Sequence, residues 1–249
     1  MMLTTPLNLA LISAGVLGFR HGFDYDHIAA ISDITSVESS RRRAMRMGLL
    51  YVLGHAAMVA ALGSAVILFQ RSLPKSIDNW AERAVGLTLL VLGVYVLATL
   101  LRDKANLPRS RASLLLGAFA WLGRRFQQLS GAAPDEAPAQ ASARYGPESV
   151  FLIGIIHGLG AETPTQLLVF LLAANLGGLA RGFLGLSVFL AGLLAMNTLM
   201  TASAIGIFGL SASKPGVLRL VIGATAAYSV VVGSIFLFGV ANFLPRLGG

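Results

Sequence analysis

The stretch Leu17-Gly-Phe-Arg20-His21-Gly22-Phe23-Asp24-Tyr25-Asp26-His27-Ile28-Ala-Ala-Ile31 decides how the rest of the chain is read. A guanidinium, two imidazoles and two carboxylates stand between Arg20 and His27, yet apolar sequence leads into them and resumes at Ile28. Hydrocarbon cannot solvate such groups, so at membrane depth they face a partner or a pathway. A cytoplasmic loop beginning at Arg20 would also hold them. The return of apolar character at Ile28-Ala-Ala-Ile31 favours a cluster inside the membrane.

Outward from this cluster the chain divides into six apolar stretches, at 7–31, 47–70, 84–101, 149–174, 182–208 and 217–240. At ~1.5 Å per helical residue each can cross a hydrocarbon core of about 30 Å. Gly, Ala and Ser are frequent in them, which lets helices approach closely in lipid. Of the 249 residues 55% are hydrophobic and 12% charged; a soluble domain carries about 25% charged residues. Mean hydropathy is +0.75. Composition excludes a soluble enzyme and a disordered chain. The absence of cysteine excludes a disulfide scaffold, thiolate metal sites, iron–sulfur clusters and cysteine nucleophiles. The expected fold is all-α: a polytopic helical membrane protein of six transmembrane helices.

Met1 to Pro6 lacks Lys and Arg, and no small-residue cleavage site precedes the polar cluster, so the first span is expected to be retained. Thirteen of the 19 basic residues lie in the loops 36–46, 102–147 and 211–219, five lie in the opposite loops and termini, and Arg20 sits within the first span. Cytoplasmic loops are rich in Lys and Arg. The orientation is therefore cytoplasmic for those three loops and extracytoplasmic for both termini, in the cell (inner) membrane. The net charge of +8 has the same origin and does not point to nucleic acid. In the long loop, Ala112 to Gly123 is apolar but too short to span and reads as an interfacial or re-entrant helix, while 130–147 reads as a flexible linker.

That linker separates two groups of three spans, 1–101 and 148–249, with 102–147 as the cytoplasmic connection. A shift of 136 residues places His21 on His157, Gly22 on Gly158 and Asp26 on Glu162, and also Arg83 on Arg219. An odd number of spans per half gives the copies opposite orientation. The expected architecture is two inverted three-helix repeats with the binding site near mid-membrane where they meet.

All four histidines, His21, His27, His55 and His157, fall in predicted spans. With the carboxylates they form a nitrogen and oxygen donor set that suits nickel, cobalt, zinc or manganese. His21 and His27 are six residues apart and point to different sides of an ideal helix, so one ion takes both only where the helix breaks or tightens. Gly22 permits that. His55 stands among small neighbours, where a packing role and a ligand role are both open. In span four, Pro164 frees a carbonyl and Glu162 is a rare acid at depth, able to bind a cation, accept a proton or pair with Arg20. Asn197 and Thr198 offer an amide and a hydroxyl to a pathway or to helix contacts.

His21-Gly-Phe-Asp24-Tyr-Asp26-His27-Ile28, preceded by Arg20, resembles the R-H-A-x-D-A-D-H-I signature of the nickel/cobalt transporter (NiCoT) family. Leu53-Gly54-His55 resembles its L-G-H-S element. Leu159-Gly-Ala-Glu162-Thr163-Pro164-Thr165-Gln166 falls on L-G-F-D-T-A-T-E, and Ala191-Gly-Leu-Leu-Ala-Met-Asn197-Thr198 on A-G-M-x-x-x-D-T. The chain departs from the family at Glu162, Gln166 and Asn197, where the family has acids Asp, Glu and Asp, and in having six apparent spans rather than eight. It resembles a divergent relative.

The resemblance implies a secondary permease bringing nickel or cobalt into the cytoplasm, with the ion as substrate and no catalytic cofactor. It makes metal-delivery or metalloenzyme-maturation proteins candidate partners beside the lipid bilayer. His21, Asp26, His27, His55, His157 and Glu162 are the expected metal-binding residues. Arg20, Asp24, Thr163, Gln166, Asn197 and Thr198 are the expected supporting or pathway residues. Export through the same site is an alternative, since residue types do not set direction. A membrane-embedded metal-dependent hydrolase with Glu162 as base is another, against which the H-E-x-x-H pattern is missing.

Overall fold

A computed structural model of the chain describes residues 6–38, 40–69, 75–105, 145–160, 175 and 177–240. Among the described residues the fold is helical, with α1 (Pro6–His21), α2 (Tyr25–Ser36), α3 (Arg41–Phe69), α4 (Lys75–Ala105), α5 (Pro147–Gly160), α6 (Leu179–Ser211) and α7 (Pro215–Leu237). Four helices are long and apolar enough to cross a membrane: Arg41–Phe69, Asn79–Leu101, Leu179–Ser211 and Pro215–Leu237. The protein is thus a multi-pass helical membrane protein.

The first apolar stretch differs from the single span read from sequence. It is two shorter helices with a break at Gly22–Asp24. The break is built from tightened turns. Gly22 N–H still donates to the Gly18 carbonyl at 3.1 Å, but Phe23 and Asp24 donate to Arg20 and His21 at 2.8 and 3.1 Å, one residue short of the α-helical pattern. Asp24 is extended (φ −73°, ψ 160°), and its carbonyl accepts from Ile28 at 3.1 Å to start α2. Only the beginning of the fourth stretch, α5, is described. The expected helix at 112–123 and the linker lie outside the described residues.

Helices α1 and α6 pack together, as do α3 and α5, and α4 and α7; α3 and α6 also meet. Glycine sets the closeness of these pairs. A Cβ at Gly18 would run into the Phe189 carbonyl of α6, and one at Gly154 into the Tyr51 carbonyl of α3. Without a hydrophobic drive between helices in lipid, such backbone approach is a main source of cohesion. One buried cluster gathers Ile31, Ile34, Tyr51, Leu89, Leu92 and Ile153; a second gathers Ala14, Val59, Phe189 and Leu193. Large apolar side chains such as Ile12, Val16, Leu87, Leu199 and Leu220 are exposed on the outside, the surface a bilayer covers.

Candidate metal centre

The break between α1 and α2 puts His21 at the last position of one helix and His27 in the first turn of the next. The difficulty of two histidines six residues apart is removed, because they no longer belong to one helix. Their ring centroids are 5.0 Å apart. His55 of α3 enters the same space, with its ring 4.5 Å from that of His27 and 5.5 Å from that of His21. One ring nitrogen from each of the three lies within 4.8 Å of the others. All three side chains are buried, at 1%, 0% and 0% exposure, which removes water as an alternative partner.

Two carboxylates fix the rings. Nδ1 of His21 donates to Asp24 Oδ2 at 2.8 Å, and Nδ1 of His27 donates to Asp26 Oδ1 at 3.0 Å. A proton held on Nδ1 leaves a lone pair on Nε2, the usual arrangement behind a metal-ligating histidine. His21 Nε2 is buried without a hydrogen-bond partner among the described residues. His27 Nε2 faces His55 Nε2 at 3.4 Å, and His55 Nδ1 has no partner. His55 therefore donates from Nε2 to His27, a contact a cation can replace when the His55 proton moves to Nδ1 and leaves a lone pair on each Nε2. Asp26 is 5% exposed and reaches His27 rather than the space between the three rings. Its other oxygen is 4.0 Å from His157 Nδ1.

His157, of α5, is fully buried but set apart from the three. Thr88 Oγ1 donates to the Val85 carbonyl at 2.7 Å, so it accepts from His157 Nε2 at 2.6 Å. Tyr51 donates its hydroxyl to His157 Nδ1 at 2.9 Å. Both ring nitrogens are thereby engaged. Tyr51 and Thr88 are functional neighbours that sequence reading missed. Tyr51 had a signal: four residues before His55, it shares a helix face with it. Thr88 had none, since its meeting with His157 is made by tertiary packing.

Of the supporting residues, Asn197 is fully buried and neither amide atom has a hydrogen-bond partner. It lies eight residues along α6 from Phe189, whose ring stacks on His21 at 5.8 Å. Thr198 is exposed, and so is Arg20. Glu162, Thr163 and Gln166 lie outside the described residues.

Residues 8–112 match the family described as NicO, high-affinity nickel-transport protein. The cobalt transport protein NhlF of Rhodococcus rhodochrous is 27% identical over 66% of this chain and 49% of its own length. The nickel transporter NicT of Mycobacterium tuberculosis is 24% identical over 95% and 68%. The urease accessory protein UreH of a Bacillus species is 25% identical over 96% of both. The chain thus spans about half the length of NhlF and nearly the whole of UreH. No solved structure matches it. The matched region contains the broken first span and His55, and relatives named as nickel or cobalt transporters align along most of the chain, so the chain is similar to the nickel/cobalt transporter family.

Proposed function

We propose that the protein is a secondary transporter that carries nickel or cobalt into the cytoplasm, and that His21, His27 and His55 bind the ion in transit. The observation that carries this reading is the buried three-histidine cluster at a helix break, with two of its rings held by carboxylates. Asp24 and Asp26 orient the rings and balance the charge of the cation. Asn197 offers its amide to the pathway, and Glu162, Thr163 and Gln166 are proposed to line it from the second half. Imidazole and carboxylate donors do not separate nickel from cobalt, because their affinities follow a general order. The relatives' names supply both ions. The name of UreH extends the proposal to nickel supply for urease maturation.

Inward movement fits the membrane potential. A negative interior contributes about 4.6 kcal/mol for two charges at 100 mV. The proposed architecture remains six spans in two inverted repeats, 1–101 and 148–249. Exchanging the halves converts the α1–α6 pair into α5–α3 and leaves α4–α7 and α3–α6 as they are. Individual contacts exchange too. Gly18 against Phe189 becomes Gly154 against Tyr51, Gly54 against Phe151 becomes Gly192 against Gly15, and Gly22 beside Met196 becomes Gly158 beside Met58. Such a plan suits a site that opens alternately to either side.

Calorimetry on purified protein with nickel and cobalt, wild type against His27→Ala, tests the site: one saturable event lost in the variant is expected. Uptake into proteoliposomes with a negative interior then tests direction. Absence of saturable binding by folded protein would overturn the reading.

A further inference from the structure

Beyond the three histidines lies a second buried polar site that the transport reading has not used. Asp33 is on α2, seven residues after Asp26, so it returns to the same helix face about 10 Å further along the axis. Its carboxylate is fully buried, and among the described residues only Ser229 comes within hydrogen-bonding reach of it. Ser229 lies on α7 beside it, and its one hydroxyl proton is shared with the Thr225 carbonyl at 3.1 Å. Tyr145, just before α5, is also near. Its ring packs on Tyr95 of α4 at 5.1 Å, and its buried phenolic oxygen has no hydrogen-bond partner among the described residues. Burial and the Asp33 carboxylate push the Tyr145 phenol up, so it stays neutral. Three segments, α2, α7 and the stretch before α5, thus bring a buried carboxylate and two hydroxyl oxygens close together.

A carboxylate left unpaired in a dry interior either carries a proton or takes a cation. We propose that Asp33, with the oxygens of Tyr145 and Ser229, is a second cation-binding station, all oxygen, which a divalent ion occupies on its way from the three histidines to the 36–46 end of the bundle. This rests on the transport reading for its direction of use, but not for its chemistry. Successive weak stations let an ion leave a tighter one. The oxygen set is harder than the imidazole set and holds a borderline ion less firmly. Past Asp33 a cavity of about 380 Å³ opens between Thr35, Ser36, Glu38, Ser40 and Arg41 on one side and α6 and α7 on the other. Ser36 lines it and donates its hydroxyl to the Asp33 carbonyl at 2.9 Å. Arg43 bonds Glu38 at 2.6 Å and the Tyr145 carbonyl at 3.5 Å, closing the station at that end.

The test is a titration of purified protein with cobalt(II), counting bound ion by equilibrium dialysis while recording visible absorption. Cobalt on the histidines absorbs strongly; cobalt among oxygens at high coordination hardly absorbs. Wild type is expected to bind two equivalents, one absorbing and one silent. Asp33→Asn should lose the silent equivalent and keep the absorbing one, and His55→Ala should do the reverse. Tyr145→Phe, which leaves the carboxylate and the ring in place, should weaken the silent equivalent. The proposal is overturned if wild type binds only the absorbing equivalent, if Asp33→Asn still binds both, or if nothing binds. A silent, Asp33-dependent equivalent without an absorbing one would leave this station standing and overturn the histidine site instead.

Discussion

At the residue scale, the difference between His21 and His157 comes down to what stands opposite each ring. His21 faces Phe189, and its Nε2 is left open; His157 faces Tyr51, and the extra hydroxyl takes its Nδ1. Two positions that the proposed repeat relates therefore differ in the hydroxyls of Tyr51 and Thr88, which take both nitrogens of His157, whereas Asp24 takes only Nδ1 of His21. His157→Gln is expected to keep nickel binding while lowering stability by about 1–3 kcal/mol, because the Tyr51 and Thr88 hydroxyls lose a buried partner. Calorimetry and thermal unfolding in detergent measure the two effects separately. Asp26→Asn is expected to act the other way round. It keeps the fold but weakens nickel binding by roughly 10–100-fold, as loss of a carboxylate behind a ligating histidine does. His21, His27 and His55 were legible in the sequence because an imidazole in an apolar span stands out. The separation of His157 from them was not, since it depends on Tyr51 and Thr88 from two other helices. Asp33 escaped notice for a related reason: it lies just past the stretch that read as membrane, so a carboxylate there looked ordinary.

At the scale of elements, helix positions follow the apolar stretches, but most helices run beyond them. Helix α3 begins at Arg41, six residues before the apolar stretch at 47, and α4 ends at Ala105, four residues past the stretch ending at 101. Hydrophobicity marks where lipid is, whereas backbone hydrogen bonding continues into water. The break at Gly22–Asp24 was foreseeable as a need, from the spacing of two histidines, and in place, from Gly22; its form, two separate helices joined by tightened turns, was not. Glycine contacts give the sharpest test at this scale. Gly54→Val on α3 would drive side-chain atoms into the Phe151 carbonyl of α5. It is expected to cost about 1–3 kcal/mol or more, read as a lowered melting temperature. Gly206→Ala on α6 meets open space and is the matched control, expected to leave that temperature unchanged or raise it.

At the scale of the molecule, charge asymmetry predicts which side each connection faces, and the lack of native cysteine makes that simple to read. Single cysteines replacing Arg42 and Ser213 are expected to react with an impermeant reagent only from the cytoplasmic side, and one replacing Gly178 only from outside. Labelling of Gly178→Cys and Ser213→Cys from the same side would reverse the assignment of α6. The proposed repeat rests in sequence on a shift of 136 residues between the first helices of each half. In the second helices the structural offset is 138, as between Gly54 and Gly192, and sequence identity there is too sparse to reveal it. The pairing of α1 with α6 and of α3 with α5 also means that each half is finished only by the other. The three histidines are all made by residue 55, but the helix that lies on His21 starts at Leu179. At about 5–20 residues per second, ligands and their wall are separated by roughly 6–25 s of synthesis. The newborn chain must wait in the membrane with its glycine faces uncovered, and a ribosome stalled in the long connection leaves the three histidines without the helix that lies on His21. Residues 1–105 expressed alone should not hold nickel, while the same piece co-expressed with 106–249 should recover it.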